Sequence, residues 1–340
     1  MIKSLYLKNF KSFLESKITF KPLTVFSGLN CAGKSSIIEA LKIIFDGYSR
    51  QSSEILTRDS EYDTLISFLS KERFFEIRCL WNDEIRPFKY EKDPHKSFDV
   101  ITGPSLSPKD FRLVSAGRIG PQSTYNLSKF RNQYQWSSRG EDVFSFLFNA
   151  EEKGLYVEQS LQKANSHNFR DNVEAWLSII SPGTKLKVEY SSDLRRATPF
   201  YNNVSPIETG FGLSYTLPVI VSLLDPTPGT VVIENPEAHL HPKGQTEIGE
   251  LIAKSISTNK QVIVETHSDR IIDGIRIAAA LGDVNANDVS LMFVSKENLE
   301  SESKVKEITV DRAGNLSEWP KDFFDQTLED AKRLMKIKRR

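Results

Sequence analysis

Residues 23–45 read LTVFSGLNCAGKSSIIEALKIIF. The first five form a largely apolar run of the kind that makes a strand buried on both faces. Ile37, Ile38, Leu41, Ile44 and Phe45 then recur at helical spacing. Between strand and helix lies GLNCAGKS, Gly28 to Ser35, which matches the Gly-x-x-x-x-Gly-Lys-Ser phosphate loop in its required setting. Glycines let such a loop wrap tightly, so that backbone N–H groups and the helix N-terminus face an anion. Lys34 then reaches the β- and γ-phosphates of a nucleotide and Ser35 ligates Mg²⁺. Asn30, Ala32, Gly33 and Ser36 complete the expected nucleotide contacts, and Cys31 is expected as a small filler.

Outward from this loop, the flanking segments group into two sets. Upstream, IKSLYL and SKITF read as short strands. Downstream of residue 205, TVVIE, QVIVETH and VSLMFV are apolar runs typical of buried parallel strands, the first two each followed by a helical segment. In the helix after QVIVETH, Ser268 or Asp269 serves as cap and Ile271, Ile272, Ile275, Ala278 and Ala279 form the apolar stripe. The ends of the chain therefore belong to one α/β core, expected over 1–50 and 205–328. Residues 51–204 read as an inserted lobe, with FFEIRCLW and LKVEY as strands, VFSFLFNA and DNVEAWLSII as helices, and turn-rich stretches such as ITGPSLSP. Residues 329–340 form a basic helix end.

Three further stretches carry chemistry. In VVIENPEAHLHP an apolar strand delivers carboxylates to the end of a sheet, where ligands of α/β folds bind. Glu234 is the expected magnesium-side acid or, alternatively, a structural ion-pair partner, and Glu237 is the next carboxylate able to orient an attacking water. QVIVETHS ends in His267, either a hydrogen-bond donor to a γ-phosphate or a boundary residue; His239 and His241 read as loop packing. ETGFGLSYTLPVIVSLL opens with Gly210, Gly212 and Ser214 and runs into an apolar helix, a second anion-directed helix start or a glycine-rich connection. Pro218 is expected near that helix's first turn. Two such helix starts in one chain suggest two subunits sandwiching two nucleotides.

Composition narrows the class. In 340 residues, 39% hydrophobic and 26% charged, 45 basic and 45 acidic side chains cancel, so any nucleic-acid contact must be local. The local candidate is the C-terminus, where Lys332, Arg333, Lys336, Lys338, Arg339 and Arg340 either complement a helix dipole or bind phosphate. Two cysteines make no disulfide framework. No run approaches the roughly 18 apolar residues of a bilayer span, so a cytoplasmic protein with no membrane partner is expected.

The order of phosphate loop, GFGLSY, IENPEAHLHP and ETHS resembles that of ABC-type ATPase heads of the RecF, SMC and overcoming-lysogenization-defect (OLD) group. In particular it is similar to bacterial AAA-family ATPases that carry a short C-terminal extension, here EITVDRAGNLSEWPKDFFDQ. The resemblance implies a P-loop α/β fold with a mostly parallel central sheet, N-terminal antiparallel strands and an inserted α+β lobe. It implies ATP and Mg²⁺ as ligands, Gly210 to Ser214 as a signature presented across a homodimer or higher oligomer, His267 as a switch histidine, and Gln122 as a magnesium-sensing glutamine. Heads of this type usually place a catalytic glutamate after the magnesium-side acid, where this chain has Asn235. Asparagine is no general base, so either Glu237 substitutes or turnover is slow. The resemblance implies a nucleotide-gated ATPase with a partner effector, a nuclease or toxin in anti-phage defence. The alternatives are a DNA-repair ATPase that binds DNA itself and a non-hydrolysing scaffold.

Overall fold

The computed structural model describes residues 1–47, 62–91, 110–127, 136–191, 193–227, 229–321, 323 and 326–337. The turn-rich stretch ITGPSLSP, and residues 338–340 of the basic end, lie outside the described residues.

Three strands open the chain: β1 (Ile2–Phe10), β2 (Phe13–Thr19) and β3 (Leu23–Ser27). After the phosphate loop comes α1 (Lys34–Gly47), followed by the hairpin β4 (Phe74–Trp81) and β5 (Glu84–Glu91). The middle of the chain supplies β6 (Phe111–Val114), β7 (Tyr125–Asn126), α2 (Val143–Glu152), α3 (Phe169–Ile180), β8 (Leu186–Ser191) and β9 (Arg196–Tyr201). A short turn of helix, α4 (Pro206–Thr209), leads into α5 (Phe211–Leu224). The remainder alternates as β10 (Gly229–Glu234), α6 (Pro242–Ser255), β11 (Lys260–Glu265), α7 (Asp269–Ala280), β12 (Val289–Ser295), β13 (Lys304–Ile308) and α8 (Gln326–Ile337).

The central sheet has the order β13-β12-β3-β11-β10-β6. Every pairing in it is parallel except that of β13 with β12. Because side chains alternate across a strand, this sheet splits its residues between two cores. Val25, Val231, Ile233, Val262, Val264, Leu291 and Phe293 face α2, α3, α5, α6 and α7. Phe26, Val232, Ile263, Met292 and Val294 face α1 and the antiparallel sheet β2-β1-β4-β5. β4 turns one face inward, with Phe75, Ile77 and Cys79 fully buried and Trp81, expected on the same face, half-buried.

The middle segment, expected as an inserted lobe, contributes to all three sheets. β4 and β5 extend the N-terminal antiparallel sheet, β6 forms an edge of the central sheet, and β7, β8 and β9 make a third small sheet. Pro218 departs from its expected place near the first turn, since it is the eighth residue of α5 and is buried. Lacking an N–H, it cannot bond the Ser214 carbonyl one turn back. Its ring fits against Gly140, where a Cβ would stand 2.7 Å from Pro218 Cγ.

Candidate nucleotide site

The phosphate loop joins the C-terminal end of β3 to α1. Its glycines are required: Gly28 has φ +145°, and a Cβ there would fall 2.0 Å from the Val294 carbonyl oxygen of the neighbouring strand. Gly33 has φ +111°, another backbone region closed to most side chains. Lys34 folds back, donating from Nζ to the carbonyls of Gly28 at 2.9 Å and Leu29 at 2.8 Å. Its side chain is almost wholly buried, and burial pulls its pKa below the ordinary lysine value, opposed in part by Glu265.

Around this loop lies a cleft of about 390 Å³, lined by Asn30, Cys31, Gly33, Lys34, Ser35 and Ser36 from the loop itself. Lys11 and Ser12 from the β1–β2 turn and Phe68 close one side, and Glu265 and His267 close the other. Ser35 Oγ donates to Glu265 Oε1 at 2.9 Å. Burial raises the pKa of Glu265, its bond from Ser35 counters this, and the nearby carboxylate of Glu234 adds to the rise. His267 is held below its usual pKa by partial burial and by the charge of Lys34, so its imidazole is mainly neutral at pH 7.

The acidic strand ends differ from the simplest expectation. Glu234 and Glu265 are register neighbours on β10 and β11, but only Glu265 is bonded to Ser35. Glu234 instead accepts from the Ala116 N–H at 2.8 Å. Glu237 accepts from Thr266 Oγ1 at 2.8 Å and from the His267 N–H at 2.7 Å, so both its oxygens clasp the end of β11. Asn235 has φ +46°, in the left-handed region that asparagine tolerates better than glutamate.

Arg118 organises this end of the sheet. It is 3% exposed and donates to the carbonyls of Ser115 and Glu234 at 2.8 Å and of Asn235 at 2.7 Å. Its guanidinium lies 5.6 Å from the Tyr215 ring centroid, and burial lowers its pKa to about 10, so it stays charged at neutral pH. The start of α5 packs on the same loop. Gly212 stands where a Cβ would meet the His239 carbonyl oxygen at 2.8 Å, and the rings of Phe211 and Tyr215 lie 5.3 and 4.8 Å from that of His239.

Of the residues expected from sequence, Asn30, Gly33, Lys34, Ser35, Ser36 and His267 line one cleft, with Ala32 buried behind it. Gly210, Gly212, Ser214, Glu234, Glu237 and Gln122 are not among the described lining residues. Ser214 is buried beside Tyr125 and Tyr201, while Gly210 and Phe211 are exposed at the helix start. Gln122 is exposed, with its N–H donating to Tyr125 Oη at 3.3 Å and Nε2 to the Gly120 carbonyl at 3.5 Å. His241 caps α6 by accepting from the Lys243 N–H, and Ser268 caps α7 as expected. Sequence reasoning passed over Glu265, Arg118, Lys11 and Ser12. For Glu265 a signal existed, because it ends a buried strand just as Glu234 does.

A family model described as "AAA domain, putative AbiEii toxin, Type IV TA system" matches residues 23–273. The chain belongs to this family. A second model, described as "Protein of unknown function (DUF3696)", matches residues 284–334 of the same AAA-family chain. Among curated proteins, it is similar to the DNA replication and repair protein RecF of Desulfitobacterium hafniense, 26% identical over 34% of each chain. It is also similar to the Old nuclease of Escherichia phage P2, 23% identical over 82% of this chain and 58% of that one. The chain thus spans about a third of the length of the RecF relatives.

Among solved structures it is similar to an SMC head bound to the C-winged helix domain of ScpA, with a TM-score of 0.57 and 18% identity over 92% of this chain and 98% of that one. It is likewise similar to an SMC head with an extended coiled coil bound to the C-terminal domain of ScpA from Pyrococcus furiosus, with a TM-score of 0.51 and 16% identity over 100% and 99%. The fold is that of an ABC-type ATPase head of the RecF, SMC and OLD group. No helix of the described residues is long and apolar enough to cross a membrane.

Proposed function

We propose that this chain binds ATP with Mg²⁺ in the phosphate-loop cleft, hydrolyses it slowly, dimerises on it in the cytoplasm, and thereby gates a partner effector, a nuclease or toxin of an anti-phage system. The observation that carries this reading is the cleft itself, where Lys34, the Ser35–Glu265 pair and His267 converge on the loop's glycines. The oxygen-only pair of Ser35 and Glu265 suits a hard cation. Among the described residues no group of three or more His, Cys, Asp or Glu could hold a metal by itself. That fits Mg²⁺, which keeps waters and takes one or two protein ligands beside a substrate phosphate. When bound, the ion would neutralise phosphate charge; Ser35 would hold it, with Glu265 and Glu234 flanking.

Slow turnover follows from the acids. Asn235 cannot accept a proton, and both oxygens of Glu237 already serve as acceptors at the end of β11. His267, mainly neutral, is left to hydrogen-bond the terminal phosphate or its attacking water. Oligomerisation on ATP is supported by the exposed signature start at Gly210 and Phe211, which lies apart from the cleft's own lining. The effector and defence role are supported by the family description and by the likeness to the Old nuclease.

The test is phosphate release with light scattering. Wild type should release phosphate measurably and double its mass with ATP. Lys34→Ala should do neither, and equal phosphate release by the two proteins would sink the ATPase reading. Dimerisation without turnover would leave a nucleotide-gated scaffold. ATP-dependent retention of DNA by the isolated chain would favour a repair ATPase. Exposed Cys31 gives an independent check, since nucleotide should slow its alkylation, whereas Cys79 is fully buried with its thiol pushed up to about 12 and should stay inert.

A further inference from the structure

The segment matched by the model of unknown function reaches the phosphate loop from behind. Just before β13, Ser303 turns inward and is 5% exposed. Its Oγ lies 2.6 Å from the Ala32 carbonyl oxygen and 2.7 Å from Ser12 Oγ. Both are acceptors for the single Ser303 hydroxyl proton, which is shared between the Ala32 carbonyl and Ser12 Oγ. The Ser303 N–H donates to the Ser12 carbonyl at 2.8 Å. A Cβ at Gly33 would stand 2.6 Å from Ser303 Oγ and 3.0 Å from Ser12 Oγ, so the two hydroxyls press on the loop at its tightest point.

The same segment grips a second element. Arg276 of α7 donates from Nε to the Gly314 carbonyl at 2.7 Å, and its guanidinium lies 5.5 Å from the Trp319 ring centroid. Gly314, at φ +76°, approaches so closely that a Cβ would be 2.7 Å from the Arg276 carbonyl oxygen. Asp311 locks the turn by accepting from the N–H groups of Ala313 and Asn315, both at 2.8 Å. Helix α7 begins directly after His267 and its cap Ser268.

We infer that residues 303–319, within the segment matched by the model of unknown function, form a latch on the nucleotide site: Ser303 is a positioning residue that fixes the Ala32–Gly33 peptide, while the 311–319 turn holds the helix that follows His267. The inference rests on reading the cleft as a nucleotide site. Ala32 is buried, and Ser303 is the hydroxyl that satisfies its carbonyl. Without that bond the peptide is free to rotate, and with it the Gly33 N–H that borders the cleft. By linkage, a ligand that orders the loop must also tighten the latch.

The experiment uses the full chain as wild type, Ser303→Ala and Ser12→Ala. A fluorescent ATP analogue gives affinity, thermal unfolding gives stability, alkylation without nucleotide gives Cys31 exposure, and hydrogen exchange over 303–310 is followed with and without ATP. Loss of one hydrogen bond at the loop should weaken ATP binding about 5- to 10-fold in Ser303→Ala, with the unfolding midpoint within a few degrees of wild type. Cys31 should alkylate several-fold faster in that variant. ATP should slow exchange over 303–310 in wild type. Equal affinity and equal alkylation in Ser303→Ala, or exchange indifferent to ATP in a wild type that binds it, overturns the latch. If Ser303→Ala does not fold, Ser12→Ala and the wild-type exchange decide. If wild type binds no nucleotide, the reading of the cleft fails instead, and the Cys31 rates in nucleotide-free protein still judge the latch.

Discussion

At the phosphate loop, the groups facing the cleft are held mainly from within their own segment, whereas at the end of β10 almost every holding group comes from far along the chain. Lys34 bonds carbonyls five and six residues back, and the N–H groups of Ser36 and Ile37 return to the Gly33 carbonyl. The loop's distant partners are Glu265, which accepts from Ser35, and Ser303, which stands behind the loop. By contrast, Arg118 reaches Glu234 and Asn235 across 116 and 117 residues, Ala116 anchors Glu234, and Glu237 is held by Thr266 and His267. The first region is formed by its own sequence. The second exists only where segments 115–118, 210–215, 234–239 and 265–268 converge, and it retains buried polar atoms, Arg118 Nε and Asn235 Oδ1, with no partner among the described residues. A region assembled that way is the one whose geometry a second subunit or a nucleotide is able to change.

The harshest way to break this comparison is Arg118→Met. Three carbonyls of half-buried residues lose their donor, and each unsatisfied group costs about 1–3 kcal/mol where water does not reach it. We expect destabilisation of about 3–5 kcal/mol in urea unfolding, with ATP affinity reduced less than about tenfold because the phosphate loop holds itself. Lys34→Ala should give the opposite split. Affinity should fall at least about 100-fold, or about 2.7 kcal/mol, while stability holds or rises, since the removed ammonium is buried with a lowered pKa. Were Arg118→Met to lose affinity as steeply as Lys34→Ala at unchanged stability, the two regions would be one unit.

A gentler comparison lies at the start of α5. Gly212→Ala meets backbone 2.8 Å away and should cost about 1–3 kcal/mol by overpacking against His239. Gly210→Ala meets nothing within 4 Å, but its φ of +85° and ψ of 172° lie in a region open essentially to glycine alone, so backbone strain by itself opposes the change, at about 1–3 kcal/mol. Unchanged stability of Gly212→Ala in thermal unfolding would mean that α5 does not bear on the His239 loop.

These contrasts explain which parts were legible in the sequence. β3, β10, β11 and β12 declared themselves by apolar runs, and α1 and α7 by helical periodicity, because each satisfies its own local pattern. The four residues of β6 and the charged strand β13 carry no such pattern; they are strands because the sheet's edges accept them. Lys34 and Ser35 were readable because their spacing is their chemistry. Glu265 was visible as a type but not as the partner of Ser35, since that depends on β11 lying next to β3 in the sheet order. Arg118 and Ser303 left no local mark, because each acts through carbonyls more than a hundred residues away. Pro218 misled for the opposite reason: its local cost is real, and packing against Gly140 outweighs it.

The subtlest handle on the assembled region is proton linkage at Lys260. This first residue of β11 is buried, and its ammonium donates to the carbonyls of Leu223 at 2.8 Å and Asp225 at 2.5 Å, where α5 ends. Those carbonyls have no intrahelical donor, so the lysine caps α5 at its C-terminal end. Burial lowers its pKa to about 7, with Asp225 and Glu158 opposing and Arg112 reinforcing the shift. Between pH 7 and the ordinary lysine value near 10.5, the unfolded chain therefore binds a proton that the folded one releases. Stability from this group should rise with pH across that window, by up to about 1 kcal/mol per unit, and below pH 7 the slope vanishes with the penalty complete. Above pH 9 the buried thiol of Cys79, held near 12, opposes it, because unfolding frees that thiol to ionise. Urea unfolding at pH 7, 7.5, 8 and 8.5, above the range in which unfolded His267 takes up its proton, should show the rise in wild type, and Lys260→Met should reduce it. A flat wild-type profile, or an undiminished slope in Lys260→Met, would show that the far end of α5 is not held by a titrating cap, and the contrast between the two regions would then rest on Arg118 alone.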